Sequence, residues 1–136
     1  MRGMMPYKFE QLEVWKLSVE YTDLIYILVE KLPHSEEYNL KSQIIRAATS
    51  ISLNIAEGST GQTNAEQARF LGMAIRSLIE TVACQHLIRH RGYLADDSYL
   101  TQAYERSQTL ARKLQAFRKS LDSHQIREEA TEYMID

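Results

Sequence analysis

The sequence predicts an all-α, up-down-up-down antiparallel four-helix bundle. Three observations carry this. Four long segments repeat their apolar residues at helical spacing. Turn and stop residues fall between them and scarcely inside them: the chain holds two prolines and five glycines in 136 residues. No segment alternates apolar and polar residues as a half-buried strand does. With 44% hydrophobic and 25% charged residues, the composition is that of an ordinary globular domain, and the length suits one core.

Residues 1–8 read as a loose lead-in. The first helix is expected from Phe9 to Leu32, stopped by Pro33. Val14, Leu17, Tyr21, Leu24, Ile25, Leu28 and Leu32 make its core stripe. Leu12, Trp15, Val19 and Tyr26 make a second stripe on nearly the opposite side. One stripe serves a bundle; the second calls for its own partner, and another subunit is the simplest. Cover of loops in the same chain is the alternative for Trp15 and Tyr26.

A turn at Pro33–Glu37, with Ser35 as a cap, leads into the second helix. This helix is expected to end at Glu57, with Gly58 as a left-handed stop. Leu40, Ile44, Ala47, Ala48, Ile51 and Ile55 share its core face. Gln43, Arg46, Ser50, Asn54 and Glu57 fall within an arc of about 80° beside that face. Leu53 flanks the arc on the far side, so this polar stripe has apolar borders on both sides.

The third helix starts at an Asn64 cap, with Gln67 three residues on as a capping-box partner. It runs to about Arg91 and stops at Gly92. Phe70, Leu71, Ala74, Ile75, Leu78, Val82 and Ile88 carry its apolar arc, bordered by Ser77, Glu80 and Cys84. Asp96 or Asp97 caps the fourth helix. Its stripe is Leu100, Ala103, Tyr104, Ser107, Leu110, Ala111, Leu114, Phe117 and Leu121. The bundle therefore spans residues 9–122, and the acidic stretch 123–136 is expected to be frayed or disordered.

Several of these residues form a pattern. Phe9-x-x-Leu12-x-Val14-Trp15 and Leu32-Pro33-x-x-Glu36 open it. Gln43-Ile44-x-Arg46-Ala47-Ala48-x-Ser50-Ile51-x-x-Asn54-Ile55-Ala56-Glu57-Gly58 is its most specific part. Arg69-Phe70-Leu71-x-x-Ala74-x-x-Ser77-Leu78-x-Glu80 completes it. Over residues 9–94 this resembles the bacterial four-helix-bundle proteins related to the protein encoded in intervening sequences of 23S ribosomal RNA genes. The resemblance implies a ring-like homo-oligomer, typically a pentamer, without enzymatic activity. A more distant relative by fold, the accessory protein of diversity-generating retroelements, is basic and associates with a reverse transcriptase and nucleic acid. Two departures stand out. Arg76 replaces a glycine usual before the third-helix serine, and an aromatic expected near Ala68 is missing.

Three groups of residues are candidate sites. The polar stripe, joined by Ser77 and Glu80, is either a ligand or catalytic pocket or a hydrogen-bonded network that fixes helix register and subunit packing. The network is the preferred reading, because no nucleophile–base pair is apparent. Arg46 paired with Glu57 or Glu80 is its expected centre. Cys84-x-His86-x-x-x-His90 places two histidines one helical turn apart, but no HExxH pattern accompanies them; a surface pair near a helix C-terminus is preferred over a metal site. Residues 60–122 carry nine basic against six acidic side chains. Arg69, Arg76, Arg89, Arg91, Arg106, Arg112 and Lys113 could form a basic face toward RNA phosphates. The net charge of −2 gives no global argument for nucleic acid or an anionic membrane.

No signal peptide is expected at Met-Arg-Gly-Met-Met-Pro-Tyr, and no run is apolar enough to span a membrane. The one cysteine excludes an intrachain disulfide and fits a reducing cytoplasm. No phosphate loop, Ser-His-Asp arrangement, di-metal pattern or cofactor motif is visible. The preferred reading is a non-enzymatic homo-oligomeric scaffold or adaptor, with itself as first partner. The alternative is an accessory protein that binds RNA or a ribonucleoprotein through the third and fourth helices.

Overall fold

The computed structural model describes residues 5–61 and 63–135, with side chains as far as residue 122. Four helices make up the domain: α1 (Glu13–Val29), α2 (Leu40–Gly58), α3 (Asn64–Arg91) and α4 (Ser98–Ile135). Each packs against its neighbours in sequence, and α4 closes back on α1. The cross-helix contacts run in opposite directions. Glu20 and Glu13 of α1 meet Arg106 and Lys113 of α4. Ser50 and Gly58 of α2 meet Ser77 and Phe70 of α3. The bundle is therefore antiparallel, and among the described residues no strand occurs.

The apolar stripes fill the centre. Ile25, Leu28, Ile44, Ile51, Ile55, Leu71, Leu78, Ile88, Leu100, Leu110 and Leu114 are fully buried. Side chains of this kind contribute roughly 1.5–3 kcal/mol each on leaving water.

The helix ends differ from the expected ones. The first helix does not begin at Phe9. Lys8–Gln11 form a separate 3-10 turn, Leu12 is extended, and α1 begins at Glu13. Its last residue is Val29, three short of Leu32. The expected turn before α2 is present as a short 3-10 helix, His34–Glu36, but Ser35 lies inside it and the α2 cap position is Asn39. The α3 cap is Thr63, not Asn64. The Thr63 hydroxyl accepts the Glu66 amide at 3.1 Å, so the capping pattern is Thr-x-x-Glu, shifted by one residue. Gln67, the expected capping-box partner, is buried instead. On α4, the Asp97 carbonyl accepts the Thr101 amide, while the Asp96 carboxylate accepts from the Ser98 amide and hydroxyl. The α4 backbone continues through the acidic stretch to Ile135.

The two helix-stopping glycines part company. Gly92 adopts φ 68° after α3, a left-handed conformation that costs little only without a Cβ. Gly58 does not: it is the last residue of α2 and is buried. Its role is close approach. A Cβ on Gly58 would lie 2.9 Å from the Phe70 Cβ and 3.5 Å from the Gln67 carbonyl.

This gives Gly58→Ala a definite sign. At an unconstrained helical site the change stabilises, since alanine is the better helix former by about 1 kcal/mol. Here the overpacking dominates, and thermal denaturation should show a loss of roughly 1–3 kcal/mol. A raised melting temperature would show that α2 and α3 are not in contact there.

Candidate functional site

The seven residues of the expected polar network do not form one network. Three of them do meet. Asn54 Nδ2 donates to the Ser50 carbonyl and approaches Ser50 Oγ at 3.0 Å, and Ser77 Oγ reaches Ser50 Oγ at 3.0 Å across the α2–α3 groove. Gln43 is exposed and donates to Asn39 Oδ1. Arg46, Glu57 and Glu80 are exposed. Among the described residues no ion pair joins Arg46 to either glutamate. The stripe sits at the rim of the α2–α3 seam, with its charges turned outward.

The buried polar connection lies elsewhere, between α1 and α3, which face each other across the core. Tyr21 Oη and Thr81 Oγ1 are 2.7 Å apart, and Gln85 Nε2 donates to Tyr21 Oη at 2.6 Å. Thr81 Oγ1 donates to the Leu78 carbonyl at 2.6 Å. That last bond fixes the direction of the whole chain. The threonine proton is committed to the carbonyl, so the tyrosine must donate to Thr81 and accept from Gln85. All three side chains are almost fully buried. Burial pushes the Tyr21 phenol up to about 12, so it stays neutral and keeps its proton to donate.

Sequence reasoning missed this relay because Thr81 and Gln85 are polar residues on the core face of α3. The available signal was register: Leu71, Ala74, Leu78, Thr81, Gln85 and Ile88 continue one helical stripe.

A second polar contact, half-buried, ties two loops at one end of the bundle. The Tyr93 hydroxyl, after α3, donates to Glu36 Oε2 at 2.5 Å, and Asn39 Nδ2 donates to Glu36 Oε1 at 3.0 Å. The tyrosine bond, more than the asparagine bond, holds the Glu36 carboxyl below its usual range.

The other sequence candidates are dispersed. On α1, Trp15 packs edge-on against Phe9 with ring centroids 4.6 Å apart. Leu12 and Trp15 rest on the core from the same chain, whereas Val19 and Tyr26 are exposed. The seven basic residues do not share a face. Arg106 and Lys113 turn toward α1, 3.3 Å from Glu20 and 3.2 Å from Glu13. Arg89 faces Asp97, Arg91 lies near Glu36, and Arg69 lies over the Phe70 ring. Arg76 and Arg112 are exposed, the latter within 3.5 Å of Thr109 Oγ1. His86 and His90 are exposed; Cys84 is buried, which raises its thiol pKa. Among the described residues no three metal-ligating side chains cluster. Nor is any helix there long and apolar enough to cross a membrane.

The family model of the 23S rRNA-intervening sequence protein matches residues 10–125. The chain belongs to that family. A solved structure supports the same fold: a protein of unknown function from the S23 ribosomal protein family of Bacteroides thetaiotaomicron, 25% identical, with a TM-score of 0.70. The match covers 78% of this chain and 98% of that one. Comparison with curated proteins found no match. The family match takes in the α2 stripe, the α1–α3 relay and the Glu36–Tyr93 contact alike, and stops ten residues inside the end of α4.

Two outcomes follow. Tyr21→Phe leaves the Gln85 amide buried without its acceptor, and denaturant titration should register a loss of about 1–3 kcal/mol. A stability equal to the parent protein's would mean that the relay contributes nothing. Glu36 has its folded-state pKa below the unfolded value, so its contribution is present above the unfolded carboxylate range. It is lost as pH falls through the folded pKa. Melting curves from neutral to acidic pH should therefore show a drop that Glu36→Gln makes shallower without abolishing it, because the amide does not titrate while Asp96, also held below its usual range by Ser98, still does.

Proposed function

We propose that this protein acts as a non-enzymatic homo-oligomeric scaffold in the cytoplasm, assembled through the outer faces of α1, α2 and α3. The supporting observation is what the single chain leaves uncovered. Val19 and Tyr26, seven residues apart on one face of α1, are 39% and 48% exposed. Leu53 on α2 and Ile79 and Leu87 on α3 are more than half exposed. Isolated exposed apolar residues are ordinary. Here Leu53 stands beside Arg46 and Glu57, while Glu80 lies on the neighbouring helix. Charges of both signs among apolar groups suit a surface that meets copies of itself. The ring-like pentamer common in the family is the expected form.

Within this reading the motif residues Arg46, Glu57 and Glu80 act between subunits. Their removal should change mass before it changes fold. Native mass spectrometry of the wild type should show an oligomer, and Tyr26→Glu or Arg46→Ala should shift it toward monomer with helical content retained. A wild-type protein that is monomeric at tens of micromolar would contradict the proposal.

The alternative, an RNA-binding accessory protein, draws support from exposed Arg69, Arg76 and Arg112. With the other four basic side chains turned to different surfaces, it predicts weak, salt-sensitive binding. Filter binding to structured RNA at low and moderate salt separates the two readings: retention that disappears with added salt favours RNA, and none at low salt removes it.

A further inference from the structure

Two uncovered faces of this chain carry charges of opposite sign. On α1, Asp23, Tyr26 and Glu30 are exposed and share one face, at helical spacings of three and four residues. On the far side of the bundle, Arg46 of α2 and Leu87 and Arg91 of α3 are exposed as well. Tyr26 and Leu87 are 48% and 52% exposed. Among the described residues, none of these four charged side chains enters an ion pair.

Hydrogen bonds inside the bundle fix the heights of these groups along its axis. Helices α1 and α3 run in the same direction, since each is antiparallel to α4. Tyr21 bonds both Thr81 and Gln85, sixty and sixty-four residues later. A residue of α1 therefore stands level with α3 residues at about that separation. Tyr26 is then level with Leu87, and Glu30 with Arg91. Helix α2 runs the opposite way, and the Ser18 and Ser52 hydroxyls are 2.8 Å apart. Asp23, five residues past Ser18, is accordingly level with position 47, next to Arg46. Each acid of the α1 face thus has an arginine at its own height on the other face. Lys16, at the start of the α1 stripe, is level with both Arg76 and Glu80 and adds no preference.

Within one chain the two faces point away from each other and cannot meet. Two copies set side by side in the same orientation bring them together with no axial shift, because rotation about an axis along the bundle preserves height. We infer that the α1 face docks a second copy of this chain, which presents its α2–α3 face. This rests on the assembly proposed above and names the two halves of its contact. Asp23 meets Arg46 of the next copy, Glu30 meets Arg91, and Tyr26 covers Leu87. The contact is head-to-tail, so each copy keeps a free face of each kind for a further neighbour. An isologous contact of α1 on α1 fits worse: the antiparallel pairing that matches Lys16 with Glu30 sets the two Asp23 carboxylates against each other.

Native mass spectrometry of the full-length protein at tens of micromolar tests this, with circular dichroism to check that each variant keeps its helices. Tyr26→Glu and Leu87→Glu each spoil one face, and each should give monomer. Mixed in equal amounts, they should give a dimer holding one of each and nothing larger, because only one intact pair of faces remains. Asp23→Arg and Arg46→Asp should each weaken association by more than about tenfold, and the two together in one chain should restore it. A Leu87→Glu protein that stays oligomeric, or a mixture that stays monomeric, would overturn the inference while the assembly itself stands. A monomeric wild type would remove the assembly and this inference with it. If either glutamate variant loses its helices, the charge reversals decide: no recovery in the double variant overturns the inference.

Discussion

The register of this bundle rests on a buried hydroxyl that must find a partner. Tyr21 brings a phenol into the space between α1 and α3, two helices that do not adjoin. An apolar core constrains helices weakly along their axes, since Leu and Ile side chains tolerate sliding as long as volume is kept. A hydrogen bond in a dry interior tolerates far less, because a slip of one turn leaves donor and acceptor unpaired at a cost of about 1–3 kcal/mol. The Gln85–Tyr21–Thr81 chain therefore supplies what the apolar contacts cannot, one preferred axial position across the bundle diagonal. The Glu36–Tyr93 contact acts similarly at one end, where it joins the α1–α2 connection to the α3–α4 connection.

With register set inside, the motif stripe on α2 is relieved of that task. Ser50, Asn54 and Ser77 knit the α2–α3 seam, which Gly58 allows to close against Phe70. Arg46, Glu57 and Glu80 are left at the surface beside Leu53. Under the proposed assembly these exposed charges would act outside the subunit, while the core polar groups hold the fold.

The fold was legible because its signals are redundant. Every helix carries an apolar stripe at helical period, and Gly92 takes the left-handed conformation its position suggests. The ends were less legible, because the 3-10 turn Lys8–Gln11 carries Phe9 into the apolar pattern before α1 begins, and because Thr63 and Asn64 are both good caps. Gly58 looked like a stop for a sound reason, yet its constraint is steric and comes from Phe70 twelve residues later. The expected Arg46–glutamate network failed on a different ground. Helical spacing shows which residues share a face, but it does not show whether that face is covered. Helical spacing puts Tyr21 in the core stripe, where it is buried. Its partners Thr81 and Gln85 do not register as apolar, although their positions on α3 are core positions.

A double-mutant cycle between Tyr21 and Gln85 tests the central claim most directly, using Tyr21→Phe, Gln85→Met and the double variant in denaturant titrations. The account predicts a coupling of roughly 1 kcal/mol or more, since Tyr21→Phe alone leaves the Gln85 amide unpaired and the added Gln85→Met removes that group. The matching cycle between Arg46 and Glu80, measured on the monomer, should give a coupling near zero. Additive effects at Tyr21 and Gln85, or a large coupling between Arg46 and Glu80, would contradict the account and return the register to the α2 stripe.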